Sequence, residues 1–458
     1  MFHVEKDQYS YSRPHFDVVG NCNPLKGSVK INGAKNSALV LMAASILTKE
    51  KIKIKNIPSL SDISVMKKIL QVLGVKLTEG EDFLLIDPEN IYDQTLPKVL
   101  VHSLRASFFC IGPLLVRLGK VQIPLPGGCN IGTRPVDEHI KGLRALGAEV
   151  KIERDMITAS LPKTKNHLTG TNIYLSCPSV GATETLLMAA CISKGKTTIK
   201  NAAKEPEVQD LAEMLNRMGA DIKNAGSNEI IINGVDKLKG CTYTTIPDRI
   251  EAGTFLIAAA ITKSNLKIGP VIPEHLKAVI EKLIECGCKI EIVDNIYLKI
   301  KPGEISGINI KTEAYPGFPT DLQAPFMSLM ATAKGKSEVE ETIFENRMQH
   351  VEELKRMGAQ INLCGQKAFI KGVPFLTGNN LKGTDLRSTA ALILAAISAN
   401  GLSQIRGLNH LDRGYEAFEK KLSNIGVKIT REQTEILKDI ELSELATQNN
   451  TVIKKDAA

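Results

Sequence analysis

Leu146-Gly147-Ala148-Glu149-Val150 decides how this chain is read, because the same phrase returns five more times. It stands as Leu73-Gly74-Val75-Lys76-Leu77, Met218-Gly219-Ala220-Asp221-Ile222, Cys286-Gly287-Cys288-Lys289-Ile290, Met357-Gly358-Ala359-Gln360-Ile361 and Ile425-Gly426-Val427-Lys428-Ile429. The glycines are 73, 72, 68, 71 and 68 residues apart. Each closes an amphipathic stretch, such as Val65 to Leu73 or Val351 to Met357, and glycine there reads as the left-handed stop of a helix. A strand and a turn follow, often with a second strand, as in Val75–Leu77 and Phe83–Ile86.

Upstream of each amphipathic stretch lies a second, alanine-rich one that is apolar on nearly every face. The six are Asn36–Leu47, Arg105–Leu115, Gly181–Ile192, Glu251–Ile261, Asp321–Ala331 and Leu386–Ile397. Helices of that kind are buried all round. After each comes a β-rich run: Ile52–Ile57, Lys120–Ile123, Thr197–Ile199, Leu266–Ile268, Ser337–Glu341 and Ser403–Ile405. The repeat is therefore a βαβαββ unit of about 70 residues. The fold class is α/β, with two domains of three units around buried helices. The boundary is expected near Val235 to Pro247, giving 35–245 as one domain and 15–34 plus 246–440 as the other. The strand-like start Phe16–Ile31 is expected to pair with the second domain, and 441–458 reads as a flexible tail.

Bulk properties agree with a large soluble protein. A chain of 458 residues exceeds one ordinary core. It has no tryptophan and 4% aromatics, which argues against a nucleic-acid binder that stacks bases. The net charge of +8 comes without a long basic run and suits small anionic ligands. No apolar run reaches the ~20 residues that span a bilayer. Met1 to Pro14 is polar and lacks the order of a secretory signal. Nine cysteines show no disulfide framework and no Cys-x-x-Cys; Cys286-Gly287-Cys288 alone is a weak metal signal. A reducing cytoplasm, no metal and no membrane are the expectations.

Chemistry is read at the helix starts, where free N–H groups favour anions. Capping accounts for Ser179, Thr320 and Asp385. It does not account for Lys35, Arg105, Arg134, Arg387 and Arg413, since the helix dipole disfavours cations there. Five such residues at equivalent repeat positions point to one shared anionic site, with arginine suited to phosphate and carboxylate. The glycine-rich stretch Pro126 to Asp137 carries Cys129 beside Arg134, at an apparent helix start, where a thiol gains reactivity. No P-loop, no dinucleotide fingerprint and no serine-hydrolase elbow occurs, so ATP and NAD are not expected.

Several motifs in order carry a resemblance. They are Gly33-Ala34-Lys35-Asn36-Ser37-Ala38, Leu104-Arg105-Ala106-Ser107, Pro126-Gly127-Gly128-Cys129 through Asp137, Ser179-Val180-Gly181-Ala182-Thr183 and Pro247-Asp248-Arg249. Tyr315-Pro316-Gly317-Phe318-Pro319-Thr320-Asp321, Phe344-Glu345-Asn346-Arg347, Asp385-Leu386-Arg387 and Asp412-Arg413-Gly414-Tyr415-Glu416 complete the set. From about Phe16 to Ile436 the chain resembles the enolpyruvyl transferases, in the branch that acts on UDP-N-acetylglucosamine in peptidoglycan synthesis.

The resemblance implies an inside-out α/β barrel of two domains that closes on its substrates, and a monomer without a cofactor. It implies transfer of the enolpyruvyl group of phosphoenolpyruvate to the sugar 3-hydroxyl with release of phosphate. Cys129 is the implied general acid and the target of the epoxide antibiotic fosfomycin; a thiol of pKa about 8.5 is mostly protonated at neutral pH. Asp321 is the implied base. Lys35, Arg134, Arg387 and Arg413 are implied to hold phosphoenolpyruvate, with Asn36 beside them, and Lys35 and Arg413 to serve catalysis. Arg105, Arg134, Pro135, Val136, Asp137, Glu138, Cys177, Pro178, Ser179, Val180, Asp321 and Ile343 fall where the family contacts the UDP-sugar. Glu138 departs from the apolar residue expected there, and its side chain is expected to turn outward from the diphosphate.

Three alternatives belong beside this reading. The shikimate-pathway enolpyruvyl transferase shares the repeats, but the cysteine loop and Arg134-Pro135-Val136-Asp137 argue against it. A non-catalytic UDP-sugar-binding protein is disfavoured by the joint presence of Lys35, Cys129 and Asp321. An RNA-end-processing enzyme on a related repeat is disfavoured by the low aromatic content.

Overall fold

The computed structural model describes residues 14–21, 24–92, 95–127 and 131–432. Cys129 and the tail 441–458 therefore lie outside the described residues.

Every repeat glycine turns the backbone as the sequence requires. Gly74, Gly147, Gly219, Gly287, Gly358 and Gly426 have φ of 91°, 96°, 102°, 114°, 95° and 107°. A side chain is disfavoured in that region, which is why one residue type recurs at the same place. The helix before each glycine is amphipathic: in Pro206–Arg217 the residues Val208, Leu211, Ala212, Met214 and Leu215 face inward.

The six apolar stretches form buried helices, two of them shorter than their apolar pattern. Lys35–Ala44, Val180–Ala190, Arg249–Ile261 and Leu386–Ser398 are regular. The stretch expected as Arg105–Leu115 instead divides into a 3-10 turn, Arg105–Cys110, and a helix, Ile111–Leu118. The stretch expected as Asp321–Ala331 divides into the turn Thr320–Leu322 and the helix Gln323–Met330. Proline explains both. Pro113 and Pro325 lack an N–H, and each ring excludes an α-helical carbonyl four residues back, at Phe109 and Asp321. The tighter turn takes over there.

Among the described residues the strands make six sheets, five of four strands and one of three. In each four-stranded sheet the β-rich run after a buried helix is central. Lys196–Lys200, for example, pairs antiparallel with Glu229–Asn233 and parallel with Asn172–Tyr174. Thr242–Thr244, which follows the third unit, returns to pair parallel with Ile52–Lys55 of the first. The amino-terminal strands join sheets of the later units. Lys26–Lys30 runs parallel to Asn265–Gly269, and His15–Val19 lies antiparallel between Leu402–Arg406 and Lys428–Glu432. Phe16 faces Ile405 in that register.

The apolar residues gather in two cores. One draws on 38–243, the other on 16–31 and 250–429. Two segments cross between them side by side. Ala34 donates to the Ile246 carbonyl at 2.7 Å, and Asp248 N–H to that of Asn32 at 2.9 Å. A Cβ on Gly33 would overlap the Asn56 carbonyl, so only glycine fits this crossing. One oxygen of Asp248 accepts from Ile250 N–H at 2.8 Å and Glu251 N–H at 3.0 Å, and the other from Lys35 N–H at 3.1 Å. Two buried helices, one per core, thus begin at a single carboxylate. This contact brings their positive ends together.

Candidate active site

Near those helix starts, besides Asp248, four cations pair with two further carboxylates. Arg387 Nη2 lies 2.7 Å from one oxygen of Asp321, and Arg347 Nη2 lies 2.7 Å from the other. Arg413 Nε lies 2.8 Å from one oxygen of Asp62, and Lys35 Nζ lies 3.4 Å from the other. With Asp248 counted, since it accepts from Lys35 N–H and its charge reaches Arg387, the local sum is one positive charge in excess. A cluster of this sign attracts a multiply charged anion and holds it through arginine forks.

Local structure explains each position. Lys35 opens its buried helix. Arg387 sits just inside a capping box: Asp385 accepts from Arg387 N–H at 2.8 Å and Ser388 N–H at 3.1 Å, while Ser388 Oγ accepts from Asp385 N–H at 2.9 Å. Asp321 rides on the 3-10 turn imposed by Pro325. The buried Glu341 fixes the adjacent loop. Its Oε2 accepts from Thr320 Oγ1 at 2.8 Å, and its Oε1 from Thr312 Oγ1 and Ile343 N–H, both at 2.9 Å.

Burial alone would push the Asp321 carboxyl up, yet Arg387 and Arg347, with Lys35 behind, hold it well below the usual carboxylate range. Burial draws the Lys35 ammonium below its ordinary value, and Asp62 partly offsets this. Asp321 is thus ionised and engaged on both oxygens.

A second group lies beside the first. Arg105 donates through Nη2 to the Arg134 carbonyl. Pro135 precedes Val136, the N-cap of the helix Asp137–Ala145, whose first turn carries Asp137 and Glu138. Cys177 is exposed. Pro178 leads to Ser179, whose Oγ accepts from Ala182 N–H at 3.3 Å and caps the helix that Val180 opens. Phe344 joins the two groups, with the guanidinium of Arg134 5.4 Å and that of Arg347 5.3 Å from its ring centre. Nearby, Thr133 Oγ1 donates to Glu345 at 2.7 Å, and Asn346 N–H to the Ile131 carbonyl at 3.1 Å. Gly132 has φ of 143°, a backbone conformation that favours glycine, beside Glu345. Ile343 is 39% exposed beside this contact, and Asn36 is exposed on the Lys35 helix.

Four expectations change. Arg134 does not begin a helix; that helix starts at Asp137, because Pro135 and Val136 stay outside helical geometry. Arg413 lies between the short helices Leu408–Leu411 and Phe418–Asn424, not at a helix start. Thr320 is not a cap, since its hydroxyl donates to Glu341. Glu138 does not turn outward: its Oε2 accepts from Ser176 N–H at 2.9 Å. Cys129 lies outside the described residues.

Sequence reading gave no role to Asp62 or Arg347. Asp62 reads as an ordinary acid in the first turn of Ser61–Val72, where the dipole favours it. Its partner Arg413 is 351 residues away. Burial to 4% is the signal, and no local pattern contains it. Arg347 stood within a matched motif, and only the fold shows that it meets Asp321.

Comparison with known proteins gives a consistent result. A family profile described as EPSP synthase (3-phosphoshikimate 1-carboxyvinyltransferase) matches residues 19–422. The chain is 59% identical over 446 residues to the UDP-N-acetylglucosamine 1-carboxyvinyltransferase of Prochlorococcus marinus strain NATL1A, covering 97% of each chain. It is 56% identical over 414 residues to the protein of that name from Synechococcus sp. strain CC9605, covering 90% of this chain and 95% of the other. Two solved structures share the fold. The enolpyruvyl transferase NikO from Streptomyces tendae superposes with a TM-score of 0.81 at 24% identity, over 91% of this chain and 98% of that one. EPSP synthase from Acinetobacter baumannii superposes with a TM-score of 0.71 at 17% identity, over 92% of this chain and 100% of that one.

Proposed function

The chain belongs to the enolpyruvyl transferase family, among its UDP-N-acetylglucosamine 1-carboxyvinyltransferases, and from that premise we propose how its residues perform the reaction. It is an enzyme that transfers the enolpyruvyl group of phosphoenolpyruvate to the 3-hydroxyl of UDP-N-acetylglucosamine and releases phosphate. The observation that carries the assignment of the site is the excess of cations over carboxylates around Asp62 and Asp321. Phosphoenolpyruvate brings a phosphate and a carboxylate, which matches that excess.

Lys35, Arg134, Arg387 and Arg413 hold phosphoenolpyruvate, with Asn36 beside it. The sugar 3-hydroxyl adds to C2 and loses its proton to Asp321, while C3 gains a proton from Cys129. The resulting tetrahedral adduct loses phosphate from C2 and returns a proton from C3 to the Cys129 thiolate, which restores the double bond and the thiol, while the proton on Asp321 leaves with the phosphate. Lys35 and the arginines stabilise the charge on the phosphate as it departs. Asp321 is a poor base while two arginines hold it. Phosphoenolpyruvate competes for Arg387, so its arrival frees one Asp321 oxygen and raises its basicity where the hydroxyl proton must go. Asp62 keeps Lys35 and Arg413 apart and oriented.

The UDP-sugar occupies the second group: Arg105, Arg134 to Glu138, Cys177 to Val180, Asp321 and Ile343. The regions 35–245 and 15–34 plus 246–440 are the two bodies that close over both substrates. A monomer is proposed as the working unit. Seven free cysteines among the described residues support a reducing cytoplasm. No helix among the described residues is long and apolar enough to cross a membrane.

Phosphate release tests the reading. With phosphoenolpyruvate present, release is expected with UDP-N-acetylglucosamine as acceptor and not with shikimate 3-phosphate. Release only with the latter would overturn it. Tight binding of the UDP-sugar without any release would favour a non-catalytic binder.

A further inference from the structure

Glu138 carries a negative charge on the face assigned to a nucleotide diphosphate, and the structure gives that charge other work. Its Oε2 accepts from Ser176 N–H at 2.9 Å. One turn on, Lys141 Nζ donates to Ser176 Oγ at 3.2 Å and lies 3.9 Å from Glu138. The helix Asp137–Ala145 thus grips the backbone and the side chain of one residue in a different segment.

That segment, 175–179, is tied elsewhere only at its ends. Leu175 donates to the Lys200 carbonyl at 3.1 Å and accepts from Asn201 Nδ2 at 2.9 Å, so it belongs to its own sheet. Ser179 caps the next helix. The two helices on either side are fixed already, since a Cβ on Gly142 would overlap Leu186. Between them, residues 176–178 are the part whose position packing does not set. Ser176 reaches across at this point, next to Cys177 and Pro178.

We propose that Glu138 is a positioning residue: with Lys141 it clasps Ser176 and so fixes residues 176–178, which carry Cys177 and Pro178 of the UDP-sugar face, against the start of the helix Asp137–Ala145. This rests on the reading above, because the clasp matters for catalysis only if a UDP-sugar lies on that face. The side chain is spent on a backbone N–H and a lysine, so its charge is neutralised beside the diphosphate. An apolar residue at 138 leaves Ser176 N–H to water and the segment free to shift.

Steady-state kinetics on the full chain decides the matter. Glu138→Ala is expected to raise the KM for UDP-N-acetylglucosamine about fivefold, the effect of losing one charge-assisted hydrogen bond. The kcat and the KM for phosphoenolpyruvate stay unchanged, and amide hydrogen exchange at Ser176 quickens. Glu138→Gln keeps an acceptor oxygen and is expected to stay within about twofold of the wild type. Faster exchange without a change in KM would overturn the proposal, as would a fall in kcat with both KM values altered. Glu138→Gln as poor as Glu138→Ala would also overturn it. Failure of the functional reading looks different: the wild type itself would then show no turnover with UDP-N-acetylglucosamine, and the proposal falls with it.

Discussion

Asp321 meets two opposed demands with one carboxylate. It is ionised in a buried site, and in the proposed reaction it accepts a proton. Arg387 and Arg347 satisfy the first by holding it well below the usual carboxylate range. Arg347 is therefore a brake on basicity, and Arg347→Met should move the acid limb of the kcat/KM profile to higher pH by about one unit or more. An unmoved limb would mean that Asp321 does not set it. Asp210 is perturbed in the opposite direction. Burial pushes its carboxyl up to about 6, although Ser37 Oγ and Tyr243 Oη both donate to it. The folded state then binds a proton that the unfolded chain releases at a lower pH. Its contribution is complete below about pH 4 and is lost as pH rises through about 6. Asp210→Asn should match the wild type in stability near pH 4 and exceed it at pH 7, by on the order of 3 kcal/mol. Urea unfolding at the two pH values measures this, and equal differences at both would refute it. At this scale legibility was uneven. Lys35 and Arg387 stood out as cations at helix starts, and Asp321 through its motif. Asp62 and Arg347 did not, because their roles depend on partners from distant segments.

Helix starts carry two of the cations in the proposed site, Lys35 and Arg387. The repeat glycines were legible because the left-handed stop admits little else. The 3-10 turns under Arg105 and Asp321 were not read, although Pro113 and Pro325 were in view, because the apolar pattern runs on unbroken through both. Helix packing leaves its own mark. Gly147 has open space around its absent Cβ and is constrained only by its φ of 96°, whereas Gly142 lies against Leu186. Gly147→Ala should cost about 1 kcal/mol, from backbone strain alone. Gly142→Ala should cost more, about 1–3 kcal/mol, because two helices must separate. Thermal unfolding of the two variants orders them, and a smaller effect at Gly142 would contradict the close packing described.

Six repeats made the whole architecture readable, since a period of this length in the sequence means a period in space. The N-terminal strands showed an apolar pattern but not their register between distant strands, which no local signal encodes. Contacts between the two cores were likewise hidden. Arg249 lies 3.2 Å from Glu207, both nearly buried, with one residue from each side. Glu184 and Glu205 stand nearby; burial first, then Glu207 and each other's charge, push the Glu184 carboxyl well up. Arg249→Met should therefore cost about 3–5 kcal/mol by leaving Glu207 unpaired, and adding Glu207→Gln should recover most of it. Thermal melts of the single and double variants would show this, and an additive loss would refute it. The central claim is that one cleft between the cores binds the UDP-sugar while Asp321 acts in the chemical step. Turnover and calorimetric UDP-N-acetylglucosamine binding, measured side by side for the wild type and Asp321→Ala, test it most directly. The account predicts that kcat falls at least about 100-fold while the dissociation constant changes less than about threefold. Loss of binding in parallel with turnover would contradict it and leave Asp321 a holder of substrate only.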